Sequence, residues 1–194
     1  MEEGQNKEQF EQDLNKALEV ALEKNISIKS IIFPRNQTNI EYLDICKKYG
    51  IKSYRGNEKG VIYSSKSYEK ETVLLRILRL IDSYFNLTGY HCYDTNEIKK
   101  SYPFNIPSSR FLRPYSSKLF LLEKLKLMRI KKAMTYAAKN NLVYHLWWHP
   151  HNFGVNLEQN IAMLNDILCH YKNLNNKYNF ESITMSDLSN ELIK

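Results

Sequence analysis

Between His145 and Gly154 the chain reads HLWWHPHNFG, which gathers three of its five histidines with both of its tryptophans. Imidazoles beside indoles can serve acid–base chemistry, metal ligation or packing, and their spacing separates these uses. In a strand, successive side chains alternate faces, so His145, Trp147 and His149 share one side while Tyr144, Leu146 and Trp148 share the other. At ~3.3 Å per residue, His145 and His149 lie about 13 Å apart along a strand and cannot ligate one metal together. His149 and His151 are closer, and Pro150 between them ends the strand, leaving both imidazoles at its carboxyl end. That end is where α/β sheets and barrels bind ligands. An imidazole there can donate a proton to a leaving group. Equally, these rings can be core or loop histidines packed on Trp147 and Trp148, and residue chemistry alone leaves both readings open.

The surrounding elements decide what such a stretch is set against. Phe10, Leu14, Ala17, Leu18 and Ala21 recur at helical spacing over Lys7 to Lys24. The segment SIKSIIFPRNQ follows, an Ile-rich run stopped by Pro34, as a short buried strand would be. A helix over Asn39 to Tyr49 ends at Gly50, and IKSYRGNE offers another short strand stopped by Gly56 and Asn57. Helix, strand, helix, strand is the order of parallel α/β architecture. Glu69 to Phe85 reads as an amphipathic helix burying Leu74, Ile77, Leu78, Ile81 and Phe85. From 86 to 117 the periodicity dissolves into an irregular, tyrosine-rich insertion, of the kind that is a functional loop or carries small elements. A long helix over Ser117 to Asn140 then feeds the strand LVYHLWWH. Asn156, with Gln159 three residues on, is expected to cap a helix whose buried face is Leu157, Ile161, Leu164, Leu168 and Tyr171. FESIT gives a last strand, and Thr184 caps a closing helix through Asp187.

Composition sets outer bounds. With 194 residues and 43% hydrophobic content, the chain suits one domain. Cys46, Cys92 and Cys169 show no paired spacing, which fits a reduced, cytoplasmic setting. The first residues are acidic and polar, and no apolar run approaches the ~20 residues of a membrane span, so no membrane partner is expected. The net charge is +7, but its one local concentration, Lys118 to Lys132, mixes lysines with leucines like the solvated side of an amphipathic helix. No nucleic-acid partner is expected from it.

Four segments together resemble a known family: SIIFPRNQ (Ser30 to Gln37), YRGNE (Tyr54 to Glu58), SRFLRPYS (Ser109 to Ser116) and HLWWHPHNFG. They look like the carboxyl-terminal part of polysaccharide deacetylases, the family of the NodB homology domain, with HPHNFG and FPRNQ the most specific elements. The resemblance covers essentially the whole chain. It implies an α/β fold, a partial distorted parallel (β/α) barrel, forming a single incomplete domain over 1–194 with the insertion at about 86–117. It also implies hydrolysis of N-acetyl groups on an amino-sugar polysaccharide or oligosaccharide, by a complete domain that carries a divalent, zinc-like metal.

The family's L-x-H motif is similar to Trp147-Trp148-His149, which makes His149 the general acid on the leaving amine and Trp147 a wall of the acetyl pocket. Trp148, His151, Asn152 and Asn36 are the further substrate-binding candidates. The motif that orients the catalytic base resembles Phe33-Pro34-Arg35-Asn36-Gln37, with Arg35 as the orienting residue. In the family Arg precedes Pro, whereas here Ile32 stands in that place. No D-x-x-D-W pattern is present; YRGN occupies the corresponding strand, and the general acid has no identified acidic partner. The family's T-F-D-D-type and H-x-x-x-H motifs, which supply the base and metal ligands, are both absent: there is no Asp-Asp pair, and the first histidine is His91. Met1-Glu2-Glu3-Gly4 stands about where the family would already have passed both. The expectation is therefore a chain that binds no metal alone, keeps the acid half of the mechanism, is inactive by itself and has a missing amino-terminal half as partner. The alternative is a non-catalytic carbohydrate-binding remnant of such a domain.

Overall fold

The computed structural model describes residues 6–63 and 72–194. Helix α1 (Lys7–Glu23) starts at a reciprocal capping box between Asn6 and Gln9 and buries Phe10, Leu14 and Ala21. Strand β1 (Ser30–Ile31) ends in a 3-10 turn at Pro34, and α2 (Ile40–Lys48) is capped by Asn39, whose Oδ1 accepts from the Glu41 N–H at 3.1 Å. Gly50, at φ 77°, takes the left-handed turn after α2 that its lack of a Cβ permits. Strand β2 (Ser53–Gly56) then pairs parallel with β1. The apolar stripes of α1 and α2 close over these strands in a cluster of Phe10, Leu14, Phe33, Tyr42, Ile45, Cys46, Ile51 and Tyr54.

Helix α3 (Val73–Tyr84) begins at its Thr72 cap, and the stretch 69–71 of the expected helix lies outside the described residues. Its buried face differs from the expected one. Leu74, Ile77, Ile81 and Phe85 are exposed, whereas Asp82, Ser83 and Tyr84 are buried. The cause is ionic: Asp82 pairs with Arg110 and Arg129 in the interior, which turns the apolar stripe outward.

The segment 86–117 is not irregular throughout. It contains a short helix α4 (Thr95–Ile98) and strands β3 (Phe104–Pro107) and β4 (Arg110–Phe111). Strand β3 pairs parallel with β2, and β4 pairs parallel with β5 (Leu146–Trp147). The run from Phe104 to Leu112 crosses from one neighbour to the other: the Ser108 N–H donates to the Gly56 carbonyl, the Ser109 N–H to that of His145 and the Leu112 N–H to that of Trp147. The carboxyl end of β2 thereby meets the chain entering β4, and the carboxyl ends of β4 and β5 lie side by side. Pro103 and Pro107 flank a strand too short to show alternation, which hid it in the sequence.

Helix α5 (Phe120–Asn140) packs against α6 (Leu157–Tyr178) around Leu112, Ile130, Met134, Phe153, Met163, Ile167 and Leu174. Two residues of the Lys118 to Lys132 cluster depart from a solvated face: Lys126 and Arg129 are buried. Lys126 donates to the Arg113 and Pro114 carbonyls and pairs with Glu123, so its charge is met inside. On α6 the buried face is Asn160, Met163, Ile167 and Leu174; of the expected face Leu164 and Tyr171 pack against the same cluster, while Leu157, Ile161 and Leu168 are exposed. Asn156 makes no side-chain cap, because its backbone is left-handed (φ 57°). FESIT forms no strand; Phe180 packs on the α5–α6 cluster and Glu181, Ser182 and Ile183 are exposed. Helix α7 (Met185–Ile193) does start at a capping box between Thr184 and Asp187. It closes a third cluster with Tyr93, Ile98, Phe104 and Ile106. The architecture is mixed α/β with short parallel strands, and no closed barrel is present among the described residues. None of the described helices is long and apolar enough to cross a membrane.

Candidate functional site

Alternation along β5 sorts the histidine stretch into two sides. Tyr144 and Leu146 pack into the α5–α6 cluster, and Trp147 and His149 face the other way. The His149 ring stands edge-on to Trp147 at 5.3 Å and lies 5.9 Å from Phe111 of β4, which itself sits 4.6 Å from Trp147. The His151 ring stacks on His149 at 5.2 Å, and both imidazoles are exposed. A 3-10 turn over Pro150–Phe153 holds them at the strand end; in it the Asn152 N–H donates to the His149 carbonyl at 3.0 Å. Trp148 is not brought to this ledge: it takes the opposite side and stacks on Phe153 at 6.2 Å.

Asn36 joins the site from the end of the 3-10 turn that follows β1. Its Oδ1 accepts from Arg55 Nε at 3.0 Å, and the Arg55 guanidinium lies over the Trp147 ring, 3.9 Å from its centroid. Arg35 stands in the 3-10 turn before it, and its side chain lies outside what the structure describes. The far edge of Trp147 is held by hydrogen bonds: its Nε1–H donates to Ser108 Oγ at 2.6 Å, and Ser108 Oγ donates to Glu58 Oε1 at 3.0 Å. Burial pushes the Glu58 carboxyl above the usual range, against the Ser108 hydrogen bond and the charges of Arg110 and Arg55. Burial, and then the Arg55 charge, hold the His145 imidazole below its usual range, so this histidine is neutral at pH 7.

Behind the ledge lies a buried ionic cluster. Asp82, fully buried, accepts from Tyr63 Oη at 2.6 Å, Arg110 Nη1 at 2.9 Å and Arg129 Nη2 at 3.0 Å. It also accepts from the Leu87 and Thr88 N–H groups and from Thr88 Oγ1. Burial alone would raise its pKa, but these donors outweigh it and hold the carboxyl at about 2. His91 Nε2 lies 2.7 Å from Thr88 Oγ1; since that hydroxyl donates to Asp82, the ring nitrogen must donate to the hydroxyl. Burial, with Arg110 nearby, lowers the His91 pKa to about 4.

Sequence reasoning placed Trp147, His149, His151 and Asn36 near one another but missed Arg55, Glu58, Ser108 and Phe111 as their neighbours. One signal for part of this set was Gly56, a glycine inside a strand. A Cβ there would collide with the Asn105 side chain, which marks the close approach of β2 and β3 beside Arg55.

Among the described residues no three His, Cys, Asp or Glu side chains converge, and the rings of His149 and His151 lie face to face. Comparison with protein-family models, curated proteins and solved structures gives no match.

Proposed function

We propose that the strand-end ledge binds N-acetylated amino sugars of a polysaccharide or oligosaccharide, and that the chain is a partial (β/α) barrel of the carbohydrate-deacetylase type. The observation that carries this reading is an exposed imidazole, His149, set between Phe111, Trp147 and His151 at the carboxyl end of parallel strands. In this reading the aromatic rings hold the acetyl group and the apolar face of the sugar, and in a complete domain His149 would protonate the amine that leaves as water takes its place on the acetyl carbon. The complete family domain uses a divalent metal on the water side; no step here runs through one. The sequence offers neither a T-F-D-D-type nor an H-x-x-x-H motif for that side, so the 194-residue chain is proposed to bind without turning over. The barrel reading draws on β1, β2 and β3 being parallel neighbours in chain order, with β4 and β5 a second parallel pair. A non-catalytic sugar-binding module is the second reading, favoured by the aromatic character of the ledge.

Calorimetric titration of the purified chain with tetra-N-acetylchitotetraose in EDTA tests the proposal. Saturable binding is expected, weakened about tenfold by Trp147→Ala, a loss of ~1.4 kcal/mol. No acetate release is expected. Absence of binding would overturn the glycan site; acetate release abolished by His149→Ala would overturn the inactivity and establish the acid role.

A further inference from the structure

We infer that Glu58 is a positioning residue for Trp147, acting through Ser108, and that this relay sets the width of the proposed sugar ledge. The inference rests on the glycan reading for its ligand, but not for its geometry. An indole N–H can only donate, and a serine hydroxyl has a single proton to give. Because Ser108 Oγ accepts from Trp147 Nε1 at 2.6 Å, its own proton is directed to Glu58 Oε1 at 3.0 Å, and the chain runs one way from indole to carboxylate. Its members come from both sheets: Glu58 follows β2, Ser108 lies between β3 and β4, and Trp147 is on β5. Arg55, held by Asn36, covers the ring itself. The indole is thus fixed at its edge by one set of contacts and on its ring by another.

Satisfying one indole N–H does not require a buried carboxylate; a backbone carbonyl or a water would suffice. Glu58 and Ser108 are nonetheless buried, at 8% and 0% exposure. Burying a carboxylate is costly unless it is hydrogen-bonded and compensated by charge. Here Ser108 and the nearby Arg110 and Arg55 supply part of that compensation, and the hydroxyl links the carboxyl to Trp147, an aromatic wall that touches both Phe111 and His149. The arrangement matches a device for orientation: it holds the Trp147 ring at a set angle to His149 while leaving the ledge open.

The test uses a Trp148→Phe background, in which Trp147 is the one remaining tryptophan, so a single indole N–H signal appears in a nitrogen–proton correlation spectrum. In the parent this proton is expected to be shifted by its hydrogen bond and protected from solvent exchange. Glu58→Gln keeps an acceptor for Ser108 and should preserve the signal and hold tetra-N-acetylchitotetraose affinity within about twofold. Glu58→Ala and Ser108→Ala should each lose exchange protection and weaken binding about tenfold under conditions where both variants are fully folded. The double variant should be no worse than either single change, as expected of one relay. An indole signal unchanged in Ser108→Ala, or Glu58→Gln behaving like Glu58→Ala, would overturn the relay. So would a binding loss that merely tracks the unfolded fraction. If the parent binds no oligosaccharide, the glycan reading falls, and the indole signal still decides whether Glu58 positions Trp147.

Discussion

At Asp82 one carboxylate meets two buried guanidiniums, and the interior depends on that match. Asp82→Asn keeps the shape but leaves Arg110 and Arg129 without their counter-ion, a cost of ~3–5 kcal/mol for breaking a buried pair. Thermal unfolding should then fall on the order of 10 °C. Nε and Nη1 of Arg129 are buried without hydrogen-bond partners, so adding Arg129→Met should return part of the loss. Unfolding midpoints of the single and double variants check both statements; equal destabilisation would show that Arg129 is not the stranded charge.

His91 gives the same cluster a pH dependence. Its folded pKa, about 4, lies below the unfolded value of 6.5, so the unfolded chain takes up the proton first. Its contribution is complete above 6.5, declines as pH falls, and levels off near 4. Asp82 adds a later loss, since its carboxyl at about 2 lies below its ordinary 3.8 and its contribution disappears only between those values. Urea midpoints measured from about pH 7 to pH 4 should fall steadily in the parent and less steeply in His91→Asn, where His145, also held below its usual range, accounts for part of the remaining fall. Asparagine suits the left-handed backbone at this position, where φ is 50°. A parent midpoint that stays level across that range would contradict the buried neutral imidazole.

Elements show where periodicity was a sufficient guide. Helices α1, α2 and α5 and strand β2 were legible because each carries a simple stripe or run, and α2 and β2 also have a strong stop in Gly50 and Gly56. Within the site, Trp147 and His149 were legible as a shared strand face, because alternation is a local rule. Arg55, Glu58 and Ser108 were not, because their meeting depends on β2 pairing with β3 and on Ser108, just beyond β3, bonding to Gly56, which no local pattern encodes. The face of α6 was legible only at Leu164 and Tyr171, for a related reason: its pivot is polar. Asn160 Oδ1 accepts from the Tyr115 N–H at 2.6 Å and its Nδ2 donates to the Val155 carbonyl at 2.8 Å, tying the HPHNFG turn to the segment after β4. A reading of apolar residues alone could not select it. Asn160→Leu should cost ~2–4 kcal/mol by stranding those backbone groups, whereas Leu157→Ala, on an exposed side chain, should stay within ~0.5 kcal/mol. Chemical denaturation of both variants distinguishes this face from the one that periodicity suggests.

For the whole molecule, the turning of α3 has a consequence in solution. With Asp82 drawn inward, Leu74 and Ile77 are left 64% and 47% exposed, with Ile81 and Phe85 beside them on the same helix. Among the described residues β1 pairs on one side only, and Ile32 just beyond it is exposed. An apolar helix face and a free strand edge are both routes to self-association. The net charge of +7 opposes that association through repulsion, and salt screens the repulsion while strengthening apolar contact. Sedimentation velocity should therefore show a larger associated fraction at high salt than at low salt, growing with protein concentration. Leu74→Glu combined with Ile77→Lys should return the chain to a monomer at both salts. Both side chains are solvent-facing, so the thermal midpoint should barely change. A parent chain that remains monomeric at high salt and high concentration would mean that the α3 face and the β1 edge are covered in solution.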